Sequence, residues 1–82
     1  MNYSVSLKPR AQKELKGLPK EIRGLVVDAL EKLKDNLAGD VKKLTNYSPE
    51  YRLRVGQYRV LFEVEGTEVV VYRVLHRSKA YQ

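Results

Sequence analysis

Tyr51-Arg-Leu-Arg-Val-Gly-Gln-Tyr-Arg-Val-Leu-Phe-Glu-Val64 alternates apolar and basic residues on either side of Gly56-Gln57. That is the pattern of two β-strands joined by a two-residue hairpin loop with glycine at its first position. The pairing it predicts sets Val55 opposite Tyr58, Arg54 opposite Arg59 and Leu53 opposite Val60. Side chains alternate between the faces of a strand, so Leu53, Val55, Tyr58, Val60 and Phe62 belong to a core side. Arg52, Arg54, Arg59 and Leu61 belong to the other. Like charges opposed across strands destabilise a sheet by up to ~1 kcal/mol per pair, so three unpaired arginines gathered in this way call for an anion. The use of arginine rather than lysine at all three positions favours phosphate, whose oxygens a planar guanidinium grips in bidentate fashion. The plain alternative is that they splay into water, as basic side chains on strand faces commonly do.

Working outward, residues 2–7 alternate Tyr3, Val5 and Leu7 with Asn2, Ser4 and Ser6, the period of a half-buried strand that Pro9 ends. Proline suits the first turn of a helix, and Ala11, Leu15 and Leu18 follow at helical spacing, which predicts a short helix over about 9–16. A second helix opens at Pro19. Its stripe of Ile22, Leu25, Val26, Ala29, Leu30, Leu33 and Leu37 is predicted to face the core, with Lys20, Arg23, Asp28, Glu31, Lys34 and Asp35 opposite and Gly39 placed to stop it. From Asp40 to Glu50 the pattern dissolves into a polar loop anchored by Leu44. Lys42 and Lys43 in that loop could guide a polyanion, or simply be solvated. After the hairpin, Glu65-Gly66-Thr67 turns the chain, and Glu68 to Leu75 supplies a last, valine-rich strand. The length of that turn is ambiguous by one residue, which leaves open whether Arg73 or Tyr72 shares the face of Arg59.

The order strand, helix, helix, then three strands in a meander predicts an α+β fold: a two-helix hairpin packed on one face of an antiparallel sheet. The 82 residues are read as one domain, 1–82, without repeats or a linker. Sixteen Lys and Arg against ten Asp and Glu give a net charge of +6. The excess is spread over the chain, with ten basic against six acidic residues in 1–49 and six against four in 50–82. Such a field favours nucleic acid, an anionic surface or an acidic protein as partner. With no cysteine and one histidine, disulfides, thiolate metal sites and multi-histidine metal sites are excluded, and no cofactor is expected. Met1 to Lys8 lacks an apolar signal core and no segment approaches the ~20 apolar residues of a membrane span, so the expected location is the cytoplasm.

The residue types exclude several hydrolytic chemistries. There is no cysteine nucleophile, no Gly-rich phosphate loop, no Gly-x-Ser-x-Gly elbow and no cluster of histidine with acids at ligand spacing. Arginines and tyrosines remain. The tail places His76, Arg77, Lys79 and Tyr81 just beyond the last strand, where it could fold over an open sheet face. RNA can be cleaved without metal or covalent intermediate, because its own 2′-hydroxyl attacks the adjacent phosphate once a base, a charge clamp and a leaving-group acid are in place. An unperturbed tyrosine titrates near ~10, so as a base it needs surrounding cations, and Arg52, Arg54 and Arg77 would supply them. His76 is the obvious acid/base candidate by its class, with packing or simple exposure at a strand end as the alternative.

Tyr51-Arg-Leu-Arg-Val-Gly-Gln-Tyr-Arg-Val resembles the "Y-R-[LI]-R-x-G-[DQ]-Y-R-[VL]" core of the RelE/ParE toxin superfamily, and of its RelE branch in particular. His76-Arg77 followed by Tyr81 resembles the family's C-terminal ending, and Leu18-Pro-Lys-Glu-Ile-Arg23 a common opening of its second helix. The resemblance implies a RelE-like fold and a ribosome-dependent endoribonuclease that cuts messenger RNA in the decoding site. It further implies neutralisation by a RelB-like antitoxin. By the same resemblance Arg59 would stabilise the charged phosphorane and Arg77 would assist the leaving 5′-oxygen. Tyr81 would act as general base toward the 2′-hydroxyl, with His76 as its substitute. Arg52 and Arg54 stand where some members carry lysines, an exchange that keeps a phosphate clamp and argues against proton shuttling there. Lys79, Lys42 and Lys43 complete the expected RNA-binding set.

Two other readings compete. One is a ParE-like poison of DNA gyrase that shares the fold without cutting RNA, against which the retention of Arg52, Arg54, Arg59, Arg77 and Tyr81 argues. The other is a basic RNA-binding module whose face grips phosphates while nothing reacts.

Overall fold

The computed structural model describes residues 1–80. In chain order they form β1 (Ser4–Leu7), α1 (Pro9–Lys16), α2 (Lys20–Leu33), β2 (Val41–Lys43), β3 (Tyr51–Val55), β4 (Tyr58–Glu65) and β5 (Glu68–His76), followed by a 3-10 turn over Arg77–Lys79. The strands make one sheet in the order β1-β5-β4-β3-β2. The α+β architecture expected from the sequence holds, as does the first helix.

The hairpin register follows the glycine. Gly56 has φ 56° and Gln57 is not among the positive-φ residues, the backbone pattern of a tight turn whose twist suits the flanking strands. Val55 pairs with Tyr58, Arg54 with Arg59 and Leu53 with Val60, as the alternation predicts. Across the next junction Glu65 pairs with Glu68, and a bulge at Leu61/Phe62 leaves Tyr72 without a partner between Val71 and Arg73. Because a bulge inserts one residue into one strand, it reverses the parity that counting from the turn would give. Arg73 pairs with Leu61 and Leu75 with Arg59, which closes the open question of register in favour of Arg73 on the arginine face.

Three details differ from expectation. Val41–Lys43, read as loop, is a strand that pairs antiparallel with β3, Val41 to Leu53, Lys42 to Arg52 and Lys43 to Tyr51. The N-terminal strand runs parallel to β5, Ser4 to Glu68 through Leu7 to Val71, so the sheet is mixed at that edge. The second helix stops at Leu33. Asn36 and Leu37 then take left-handed backbone at φ 56° and 57°. The Leu33 carbonyl accepts the Leu37 amide at 3.0 Å while the Met1 carbonyl accepts the Asn36 amide at 2.8 Å. Leu37 still packs on the core, from the connection rather than from the helix, which is why it completes the apolar stripe.

Val26, Leu30 and Leu33 of α2 and Ala11 of α1 pack on Leu53, Val60, Phe62, Val69, Val71 and Val74. Phe62, Leu33, Leu53, Val26, Val60, Val69 and Val71 are the largest side chains almost wholly withdrawn from water, each stabilising the fold by about 1.5–3 kcal/mol. Leu25, counted in the stripe from spacing alone, is 58% exposed. Both helices lie against one face of the sheet. The opposite face carries the arginines and a small apolar spot: Leu61 and Val70 are buried there although they stand outside the main core. Ala80 is also buried, and the Tyr47 hydroxyl donates to its carbonyl at 3.3 Å. The 44–50 connection and the C-terminal turn thus meet each other.

Candidate nucleic-acid interface

Strand alternation places Lys42, Arg52, Arg54 and Arg59 on one face of three adjacent strands, because Lys42 pairs with Arg52 and Arg54 with Arg59. The face is not free of anions, and this corrects the expectation of three unpaired cations. Asp40, immediately before β2, accepts from Arg54 Nε through Oδ2 at 2.6 Å, and its Oδ1 lies 3.8 Å from Arg52 Nη1. The Arg54 amide also donates to the Asp40 carbonyl at 3.0 Å. The hydrogen bond from Arg54 holds the Asp40 carboxyl below the ordinary carboxylate range; desolvation opposes this, and the charges of Arg54, Arg52 and Arg59 reinforce it. Asp40 is therefore a permanent anion at neutral pH.

The arginines differ in freedom. Arg52 keeps 12% of its side chain exposed, against 54% for Arg54. Arg59 is half-buried, and its Nη1 donates to the carbonyls of Gly56 at 3.0 Å and Tyr58 at 2.9 Å. Those bonds tether the guanidinium to its own turn and leave its other donors for a ligand, since a guanidinium carries five N–H groups. Arg77 is exposed, and its amide donates to the Gln57 carbonyl at 2.7 Å. That bond fastens the start of the 3-10 turn to the tip of the hairpin. Arg77 is thereby held two residues beyond Leu75, the cross-strand partner of Arg59.

Other predicted residues are not brought to this face. Lys43 pairs with Tyr51 on the helix side of the sheet, lies 5.9 Å from the Tyr51 ring centroid and 3.5 Å from Glu50 Oε2. Its separation from Lys42 follows from β2 being a strand. His76 pairs with Tyr58, and the two rings meet edge-on at 5.4 Å, so it shares Tyr58's face rather than that of Arg59. Its Nδ1 accepts the Ser78 amide at 3.2 Å and caps the 3-10 turn. Lys79 is exposed within that turn. Tyr81 lies outside the described residues. Asp40 was missed because it fell in a stretch read as loop; an acid one residue before a short strand opposite Arg54 was the available signal.

A family model described as ParE toxin of type II toxin-antitoxin system, parDE, matches residues 5–81. Toxin RelE3 of Methanocaldococcus jannaschii is 38% identical over 74 residues, 84% of each chain. Among solved structures, the chain is similar to one in the RelB-RelE antitoxin-toxin complex from Methanococcus jannaschii, with TM-score 0.76 and 35% identity over 92% of this chain and 93% of that one. It is also similar to one in the toxin-antitoxin complex RelBE2 from Mycobacterium tuberculosis, with TM-score 0.81 and 29% identity over 94% and 100%. The family model bears the ParE name, whereas these three matches bear the RelE name, and identities of 35% and 38% favour the RelE side.

Proposed function

This chain belongs to the RelE/ParE toxin superfamily as a RelE-family toxin of a type II toxin-antitoxin system, and from that premise we propose that it is a metal-independent, ribosome-dependent endoribonuclease that cleaves messenger RNA in the decoding site. The observation that carries the reading is the convergence of Arg52, Arg54 and Arg59 on one sheet face, with Arg77 fastened to the same hairpin tip. The 2′-hydroxyl of the message attacks the adjacent phosphorus, the bond to the 5′-oxygen breaks, and a cyclic phosphate remains on the upstream fragment. Negative charge builds on the phosphoryl oxygens in between. Arg59 stabilises it, Arg77 assists the departing 5′-oxygen, and Arg52 and Arg54, with Lys42 and Lys79, hold the flanking backbone. Tyr81 takes the proton of the attacking hydroxyl; the resemblance of the C-terminal ending supports that assignment.

The cognate partner in this reading is a RelB-like antitoxin, since relatives of this fold were crystallised as RelB-RelE complexes. The ParE-like alternative, a gyrase poison, has the family model's description in its favour. It gives the arginine face no work to do. Expression of the toxin followed by primer extension on cellular messages separates the two: ends within translated codons that vanish in Arg59→Ala support the nuclease. Accumulated broken DNA–gyrase complexes with intact messages would replace it by the alternative.

A further inference from the structure

The carboxylate of Asp40 faces the arginines as a phosphodiester would. Its two oxygens are divided between two guanidinium groups, Oδ2 on Arg54 at 2.6 Å and Oδ1 toward Arg52 at 3.8 Å. No other acidic side chain forms an ion pair with Arg52 or Arg54 among the described residues. We propose that Asp40 is a built-in counter-anion of the arginine clamp, and that an RNA phosphate binds by taking its place on Arg54 and Arg52. This rests on the reading of that face as an RNA clamp and names what the RNA must displace there.

Three observations favour displacement over a fixed strut. The Asp40 and Arg54 side chains are 47% and 54% exposed, and an ion pair so open to water is weak and readily exchanged. The backbone of Asp40 is anchored without the carboxylate, by the Arg54 amide on its carbonyl and by the strand that follows, so releasing the side chain leaves the sheet intact. One carboxylate stands against Arg52, Arg54, Arg59 and Lys42, which leaves net positive charge to draw RNA in while the empty clamp avoids mutual repulsion of its arginines. Asp40 is thus a threshold on phosphate binding: only a ligand that offers better geometry or more charge than one carboxylate dislodges it.

The test is fluorescence anisotropy of a labelled single-stranded RNA whose 2′-oxygens are methylated, so that binding is read without cleavage, across a series of salt concentrations. Asp40→Asn is expected to bind about three- to tenfold more tightly than the wild type, with the same salt slope, because the phosphate sits on Arg54 and Arg52 in both complexes. Glu21→Gln, the same charge change on α2, is expected to gain less. Equal gains in both variants would reduce the effect to net charge, and unchanged or weaker binding by Asp40→Asn would make Asp40 a strut; either overturns the proposal, as does absence of binding by both wild type and variant. Should Asp40→Asn fail to fold, the wild type still decides. The 13C signal of the Asp40 carboxyl and the Arg54 Nε–H signal are expected to move together on RNA addition, and movement of Arg54 alone refutes displacement. RNA that binds as described but is never cut on the ribosome would sink the nuclease reading and leave this inference standing.

Discussion

Glu14 on α1 holds Arg73 through both carboxylate oxygens, at 2.8 to 3.2 Å, and its Oε1 also accepts the Val74 amide at 2.9 Å. β1 covers β5 only as far as Val71, so beyond that point the outer edge of β5 would expose an unpaired amide. An exposed edge invites pairing with another chain. Glu14 closes it, and in doing so withdraws Arg73 from a face to which its register assigns it. The pair is well shielded, with 29% and 20% of the two side chains exposed. Glu14→Ala is expected to destabilise the chain by about 1–3 kcal/mol in urea denaturation, by orphaning both a charge and an edge amide. Glu14→Gln should recover part of that loss, since an amide oxygen can still accept from Val74. Equal losses in the two variants would argue that charge alone matters there.

The alternation of β2 separates two adjacent lysines that look equivalent in the sequence. Lys42 shares the face of Arg52, and Lys43 lies behind it beside Glu50. For binding of a 2′-O-methylated single-stranded RNA, Lys42→Ala should lower the salt slope by about 0.7, the share of one phosphate contact. Lys43→Ala should leave it unchanged. A reversed result would mean that RNA approaches from the helical side.

His76→Gln is expected to alter the cleavage rate by less than about threefold, because the ring packs on Tyr58 and caps Ser78, away from Arg59. A drop of a hundredfold or more would install His76 as the base. Arg59→Ala, by contrast, should slow cleavage by about 10²–10³-fold or more, the usual cost of removing one preorganised donor from a developing anion. Its melting temperature should remain close to that of the wild type.

Acid titration isolates Asp40. Its carboxyl is more acidic in the folded chain, chiefly through the hydrogen bond from Arg54, so the native state binds fewer protons there than the unfolded one. Its contribution to stability is then fully present above the unfolded value of ~3.9 and is lost as pH falls through the lower folded value. The stability difference between the wild type and Asp40→Asn should be level from about pH 8 to 5 and shift against the wild type below about pH 4. A difference that moves the other way on acidification contradicts the pairing.

What the sequence disclosed, and what it withheld, divides along physical lines. The Gly56-Gln57 loop dictates one register, and that register alone collects Arg52, Arg54 and Arg59. The last strand resisted because its bulge at Tyr72 breaks the period on which counting depends. β2 was hidden because Val41-Lys42-Lys43 is too short to show a period and becomes a strand only by pairing with Tyr51–Leu53. Two misjudgements about the site follow from that one omission: the partner of Arg54, and the opposite placements of Lys42 and Lys43. Leu37 extended the apparent helix since spacing cannot distinguish a residue on a helix from one returned to the same core by left-handed backbone. His76 was placed by chemical type, which carries no information on facing.

The parallel pairing of β1 with β5 orders events during biosynthesis. A nascent chain emerges amino end first, and here its earliest strand has no neighbour until its latest has cleared the exit. Arg77 likewise follows β5, so the amide that ties it to Gln57 arrives only after that strand. A fragment that stops before Glu68 lacks β5, the strand that joins β1 to the rest of the sheet, and with it the second arm of the clamp. A toxin proposed to attack the translating ribosome therefore cannot complete its arginine clamp before β5 and Arg77 have been made.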